Sequence, residues 1–236
     1  MRLADLPIRL PGLCAICRRW TAGRLCHGCV QRFAPLLARC VQCGLRLPPA
    51  VQHCSACAGR HDAPLRHTIA AVDYGFPWDG LIAGFKFHRR LDLADALAGL
   101  LHTAVRRAAL PAPALVLPVP LSPQRLRERG YNQAWELARR VARRQGLAAH
   151  GAMLLRIRDT AHQLGLDEAG RRRNLKGAFM AEPRLAPALQ GRPVALVDDV
   201  TTSGATAEEA AMALRAAGAS EVQLWVVART PPPGEA

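Results

Sequence analysis

Pro193–Ala210 reads PVALVDDVTTSGATAEEA. Its first five residues carry no charge, and Pro193–Val197 reads as a buried strand that ends in Asp198 and Asp199. Small hydroxyl and glycine residues follow. A helix over Ala205–Ala217 comes next, with Glu208 and Glu209 in its first turn and Gly218 past its end. Each part has a physical use. A helix N-terminus offers unpaired N–H groups and the positive end of its dipole, which suit a phosphate. Gly204 lets the backbone approach closely, and Thr202, Ser203 and Thr206 add hydroxyls. Adjacent carboxylates at the C-terminal end of a strand accept hydrogen bonds from sugar hydroxyls or hold Mg2+. No Gly-Lys-Ser/Thr follows the strand, so this is not a Walker loop.

Outward from that stretch, strands alternate with helices. Thr68–Gly75 (TIAAVDYG) reads as a short strand and Leu81–Arg107 as mostly helical, with Pro111–Pro113 as a break. Leu115–Pro120 (LVLPVP) reads as a buried strand ending in a proline- and serine-containing turn, Pro-Leu-Ser-Pro. Asn132–Gln145 has helical character with arginines outside, and Met153–Ile157 has strand character. Asp159–Lys176 reads as an arginine-rich loop, Val222–Ala228 as the last strand, and the TPPPGEA ending as disordered. Such alternation implies a mostly parallel sheet covered on both faces. In a chain of 236 residues this leaves room for one α/β core, here 63–236, and a small module, here 1–62.

All eight cysteines fall in that module, as the pairs Cys14/Cys17, Cys26/Cys29, Cys40/Cys43 and Cys54/Cys57. The C-x-x-C spacing lets a tight knuckle aim two thiolates at one ion, and four thiolates complete a tetrahedral zinc site. Redox-active thiols and an iron–sulfur cluster are the competing readings. A region so poor in large apolar residues needs a metal to fold, and two closed four-cysteine sites fit structural zinc. Sequential pairing, Cys14/17/26/29 and Cys40/43/54/57, needs the shortest loops. A cross-braced pairing and substitution by His27, His53 or His61 stay open.

The net charge of +14 points to polyanionic partners, either a phosphate ligand or nucleic acid. Arginine supplies nearly all of it, since Lys86 and Lys176 are the only lysines, and genome composition is the competing reading. No apolar run approaches the ~20 residues of a membrane span, and MRLADLPIRLPGLC lacks a signal-peptide core. The expectation is a cytoplasmic protein with reduced thiols.

Val194–Thr206 resembles the phosphoribosyl-diphosphate (PRPP) motif of type I phosphoribosyltransferases at all thirteen positions, with Thr201 and Ser203 as ordinary variants. The resemblance implies that Asp198 and Asp199 are the catalytic acids and contact the ribose hydroxyls. It further implies that Val197, Thr201, Thr202, Ser203, Gly204, Ala205 and Thr206 complete the binding site for PRPP and its Mg2+. Arg125, Arg127 and Arg129 stand where that fold carries its pyrophosphate loop, and guanidinium forks suit phosphate oxygens. A solvated basic turn is the alternative there.

The likeness extends over nearly the whole chain. The double cysteine ribbon, GFKFHRR (84–90) with Lys86, LPVPLSPQRLRERGYNQ (117–133), HQLGLDEAGRRRNLKGAF (162–179) and LWVVART (224–230) resemble the ComF family. The resemblance implies an α/β fold, a type I phosphoribosyltransferase-like parallel sheet with helices on both faces behind a small zinc-ribbon module. It also implies a role in natural competence, the import of single-stranded DNA, with a helicase or channel protein as partner. An active phosphoribosyltransferase with a nitrogenous acceptor is the alternative. The intact acidic pair favours it, since binding-only relatives of the fold often lose one acid. Lys86 is read as a phosphate contact or a helix-surface lysine, and Tyr131 and Trp135 as base-stacking or packing aromatics. Gln163, Arg171 and Asn174 match a segment near the flexible catalytic hood of type I enzymes. His88 and His162 stand alone, with no nucleophile–His–acid arrangement around them.

Overall fold

The computed structural model describes residues 11–60, 62–158 and 175–232. The cysteine region holds a small hairpin of β1 (Gly12–Leu13) and β2 (Trp20–Thr21), then α1 (His27–Phe33). The main body follows as β3 (His67–Asp73), α2 (Trp78–Phe87), α3 (Ala94–Ala108), β4 (Leu115–Pro118), α4 (Pro123–Arg129), α5 (Gln133–Gln145) and β5 (Ala148–Ala149). A hairpin of β6 (Leu154–Arg156) and β7 (Phe179–Ala181) precedes β8 (Pro193–Thr201), α6 (Ala205–Ala216) and β9 (Glu221–Arg229).

Five strands form a parallel sheet in the order β3-β9-β8-β4-β5. Its centre is buried on both faces, so β8 and β9 are apolar at nearly every position and not only at alternate ones. Val194 and Leu196 point to one face with Val222, Leu224 and Val226, against α6 and the β6–β7 hairpin. Ala195 and Val197 point to the other with Trp225 and Val227, against α2, α3 and α5. Each fully buried Leu or Val adds roughly 1.5–3 kcal/mol.

Several boundaries depart from the sequence expectation for identifiable reasons. β8 does not end at the acids but runs on to Thr201, because β9 pairs with it as far as Thr201↔Arg229. The stretch Leu81–Arg107 is split between α2 and α3. Arg89 takes a left-handed φ of +53° in the break, and Leu91–Leu93 form a single 3-10 turn. The Pro-Leu-Ser-Pro stretch (120–123) opens α4: Ser122 accepts a hydrogen bond from Arg125 N–H, and Pro123 sits in the first turn, where its missing donor costs nothing. The strand within Met153–Ile157 forms, but pairs antiparallel with β7 outside the main sheet. The expected loop Asp159–Lys176, with Gln163, Arg171, Asn174 and His162, lies mostly outside the described residues, as do His61 and most of the TPPPGEA ending.

Candidate functional site

A cavity of about 680 Å³ opens at the C-terminal edge of the sheet, within the usual size range for small-molecule sites. Thr201–Thr206 form one wall and Asp198 lies at its base. Lys86, Phe87 and Arg89 from the end of α2 and Arg125, Glu128 and Arg129 from α4 form the other side. Gly204 has a φ of +80° and open space where a Cβ would stand, so glycine is used here for its conformation and not for room. It caps α6, whose first residues Ala205, Thr206 and Ala207 line the cavity. Thr202 Oγ1 lies 3.2 Å from Thr230 Oγ1, and Thr230 N–H donates to Thr201 O, so the tail of β9 braces the loop.

The acidic pair is divided by the period-two alternation of β8. Asp198 faces the cavity. Asp199 is 4% exposed on the opposite side, where its Oδ1 lies 2.8 Å from Lys86 Nζ and accepts Val200 N–H at 2.7 Å. Asp198 accepts Asp199 N–H at 2.8 Å. Burial, and then the neighbouring Asp199 charge, push the Asp198 carboxyl up to about 7 against the pull of Lys86. Burial works against the Lys86 ammonium, but Asp199 and Asp198 outweigh it and raise its pKa.

Lys86 is set by its neighbours. The last carbonyls of α2 have no partner within the helix. Tyr131 O–H donates to Phe85 O, and Gln133 Nε2 donates to Lys86 O at 3.2 Å. Gly130, at φ +78°, ends α4, and Asn132 caps α5 by accepting from Ala134 and Trp135 N–H. The RGYNQ stretch is therefore a helix joint that clasps the end of α2. Tyr131 packs on Phe85 and Trp135 lies against Gly151, so both aromatics are packing residues.

The eight cysteines form two clusters, Cys14/17/26/29 and Cys40/43/54/57, whose sulfurs all lie within 4.8 Å of one another in each. Cys17 and Cys26 sulfurs are 3.6 Å apart and Cys43 and Cys54 sulfurs 3.7 Å, close to the about 3.8 Å edge of a tetrahedral zinc–thiolate site. The pairing is sequential, and among the described residues neither cluster includes a histidine. The donor set calls for a cation. Burial would raise Cys14, yet the N–H groups of Cys17, Cys26 and Ile16 bring it down to about 6. Burial, followed by the Cys17 and Cys26 sulfurs, pushes Cys29 up to about 12. Four converging thiolates need a divalent ion to coexist.

The second ribbon is docked on the sheet. Thr68 donates from N–H to Val41 O at 2.8 Å and from Oγ1 to Gln42 O at 2.7 Å, and Arg229 Nε donates to Cys43 O at 2.9 Å. Arg39 pairs with Asp73 at 2.6 Å, and Arg60 with Glu208, in the first turn of α6, at 2.9 Å. The first ribbon is held more peripherally, through Trp78 Nε1–H to Phe33 O and an Arg24–Asp92 ion pair.

The structure thus gathers Asp198, Thr201–Thr206, Arg125 and Arg129 around one cavity. Val197 is buried in β8 against α2, α3 and α5, Asp199 faces Lys86, and Arg127 is not among the lining residues. Phe87, Arg89 and Glu128 line the cavity without having been anticipated. They lie in α2, in the break after it and in α4, far from the loop in sequence, and only the GFKFHRR likeness pointed near the first two.

A parallel sheet with this loop after an inner strand, behind two four-cysteine clusters, defines a phosphoribosyltransferase-like fold preceded by a zinc-ribbon-like module. The chain is 36% identical to the DNA utilization protein YhgH of Salmonella typhi, over 94% of this chain and 99% of that one. It is 37% identical to Competence protein F of Haemophilus influenzae, over 87% and 90%. The chain belongs to the ComF family, of which these are relatives. No family model matches it. Among solved structures, the glutamine PRPP amidotransferase of B. subtilis is 19% identical, with a TM-score of 0.41 over 61% of this chain and 30% of that one. TT1426 of Thermus thermophilus is 18% identical, with a TM-score of 0.35 over 61% and 86%.

Proposed function

We propose that this protein binds PRPP at the Asp198–Thr206 cavity and uses that site while handling single-stranded DNA in competence or DNA utilisation. The observation that carries the reading is the cavity itself: one inward carboxylate and a helix-capping hydroxyl loop face Lys86, Arg89, Arg125 and Arg129 across about 680 Å³. The Thr202–Thr206 loop would take the 5′-phosphate. Asp198 would accept from a ribose hydroxyl, and the α4 arginines would meet the diphosphate. Mg2+ would arrive on the diphosphate oxygens. Asp198 is the carboxylate placed to meet it, because Asp199 already answers Lys86.

Two structural zinc ions would hold the ribbons, with the module ending near residue 62 and the phosphoribosyltransferase-like domain starting at 63. The DNA part is supported by the names of the relatives and by the +14 charge. A competence helicase or channel protein would be the protein partner. Among the described residues no helix is long and apolar enough to cross a membrane. A cytoplasmic setting fits the thiol-rich ribbons.

Calorimetric titration of the zinc-loaded protein with PRPP and Mg2+ tests this, beside an Asp198→Asn/Asp199→Asn control. Heat lost in the control supports the site, and no heat from the wild type overturns it. The intact acidic pair favours a second reading, transfer of the phosphoribosyl group to a nitrogenous acceptor. Positioning and electrostatics would then supply the catalysis. Pyrophosphate release on addition of candidate bases would reveal it.

A further inference from the structure

The two ribbons share one spacing, but their tips meet different surroundings. In the second, the residue after the C-x-x-C knuckle is Gly44, at φ +72°. A Cβ there would meet Thr68 Cγ2 at 2.9 Å, so glycine is required by both conformation and space. The matching residue of the first ribbon is Arg18, at φ +63°. That backbone is unfavourable for any residue with a Cβ, and no packing contact accounts for an arginine there, since Arg18 is exposed. Arg19 and Trp20 follow it, and Trp20 is 74% exposed.

Among the described residues, the side chains of Arg18 and Arg19 make no hydrogen bond or ion pair. Arg24, Arg39, Arg60 and Arg144, by contrast, each pair with a carboxylate. The first ribbon thus holds two unpartnered cations and a bare indole on a tip fixed by its thiolate cluster, while the second turns its tip into the core.

We propose that Arg18, Arg19 and Trp20 form a stacking platform for single-stranded nucleic acid. A base lies on the Trp20 indole and the two guanidinium groups meet the flanking phosphates. Charge complementarity selects this occupant: an apolar protein face would leave both guanidinium groups unanswered, and a duplex offers no unstacked base. The platform rests on the DNA-handling part of the proposed function and is independent of the phosphoribosyl site.

The test is anisotropy titration of a labelled oligothymidylate with the full-length, zinc-loaded protein. Trp20→Ala is expected to weaken binding at least about fivefold, as loss of one stacked base implies. Trp20→Phe keeps most of the affinity. Arg18→Gly, which restores the residue of the second ribbon and relieves the backbone, weakens binding while metal content and melting temperature hold. Bound oligothymidylate quenches indole fluorescence more in the wild type than in Trp20→Phe, because Trp78 and Trp225 are buried and Trp135 is packed against Gly151. PRPP titration stays unchanged in every variant. A wild type that binds no oligonucleotide removes the DNA-handling reading and the platform together. Equal binding by the wild type and Trp20→Ala overturns the platform alone.

Discussion

Asp198 faces the cavity beside a second carboxylate that is itself paired with an ammonium, and its protonation decides what the cavity offers a ligand. Its pKa of about 7 lies above the carboxylate value of an unfolded chain, so between about pH 4 and 7 the folded state binds more protons than the unfolded one. Stability from this group therefore falls as pH rises through that window. Asp198→Asn is expected to raise the melting temperature at pH 8, with the gain fading toward pH 4. Thermal denaturation across that range checks the sign. Lys86→Met should cost about 1–3 kcal/mol in chemical denaturation, because it leaves the Asp199 charge buried and unanswered. Lys86→Met/Asp199→Asn should recover most of that loss. The acids and their loop were legible in the sequence because they are contiguous. Which acid faces the cavity was not, since that depends on the extension of β8 through Thr201, set by pairing with β9.

Each zinc-ribbon knuckle is a local element, and its spacing alone made it readable. The docking of the second one was not readable, because its partners Thr68 and Arg229 come from strands outside the ribbon. Elemental analysis should find two zinc ions per chain, and Cys40→Ser should remove one. Gly44→Ala should destabilise by about 1–3 kcal/mol, through its positive φ and the contact with Thr68. Denaturant unfolding measures it. Helix α4 was missed for a physical reason as well: Pro-Leu-Ser-Pro suits a turn as well as a helix start, and the cap at Ser122 decides between them only once the helix exists.

At the scale of the molecule, the alternation of strand and helix announced the parallel sheet, and the apolar runs of β8 and β9 announced its buried centre. The side hairpin of β6 and β7 was beyond reach, since no local pattern tells a strand which sheet it joins. The +14 charge predicts that oligonucleotide affinity falls steeply with salt, by an order of magnitude or more between about 50 and 200 mM. Anisotropy at several salt concentrations gives the slope, and a flat response would assign the charge to the phosphoribosyl ligand alone.

The strand order also has a consequence for synthesis. Among the described strands, β3 pairs with β9 alone, and the ribbon contact from Arg229 to Cys43 spans 186 residues. A ribosome delivers β3 early and β9 near the end. Throughout that interval the nascent chain carries a cysteine knuckle without its Arg229 contact and a β3 strand with no neighbour in the sheet. A chain that stalls before Glu221 would expose both to proteases and to other chains, so translation must reach β9 before the early part of the protein is safe.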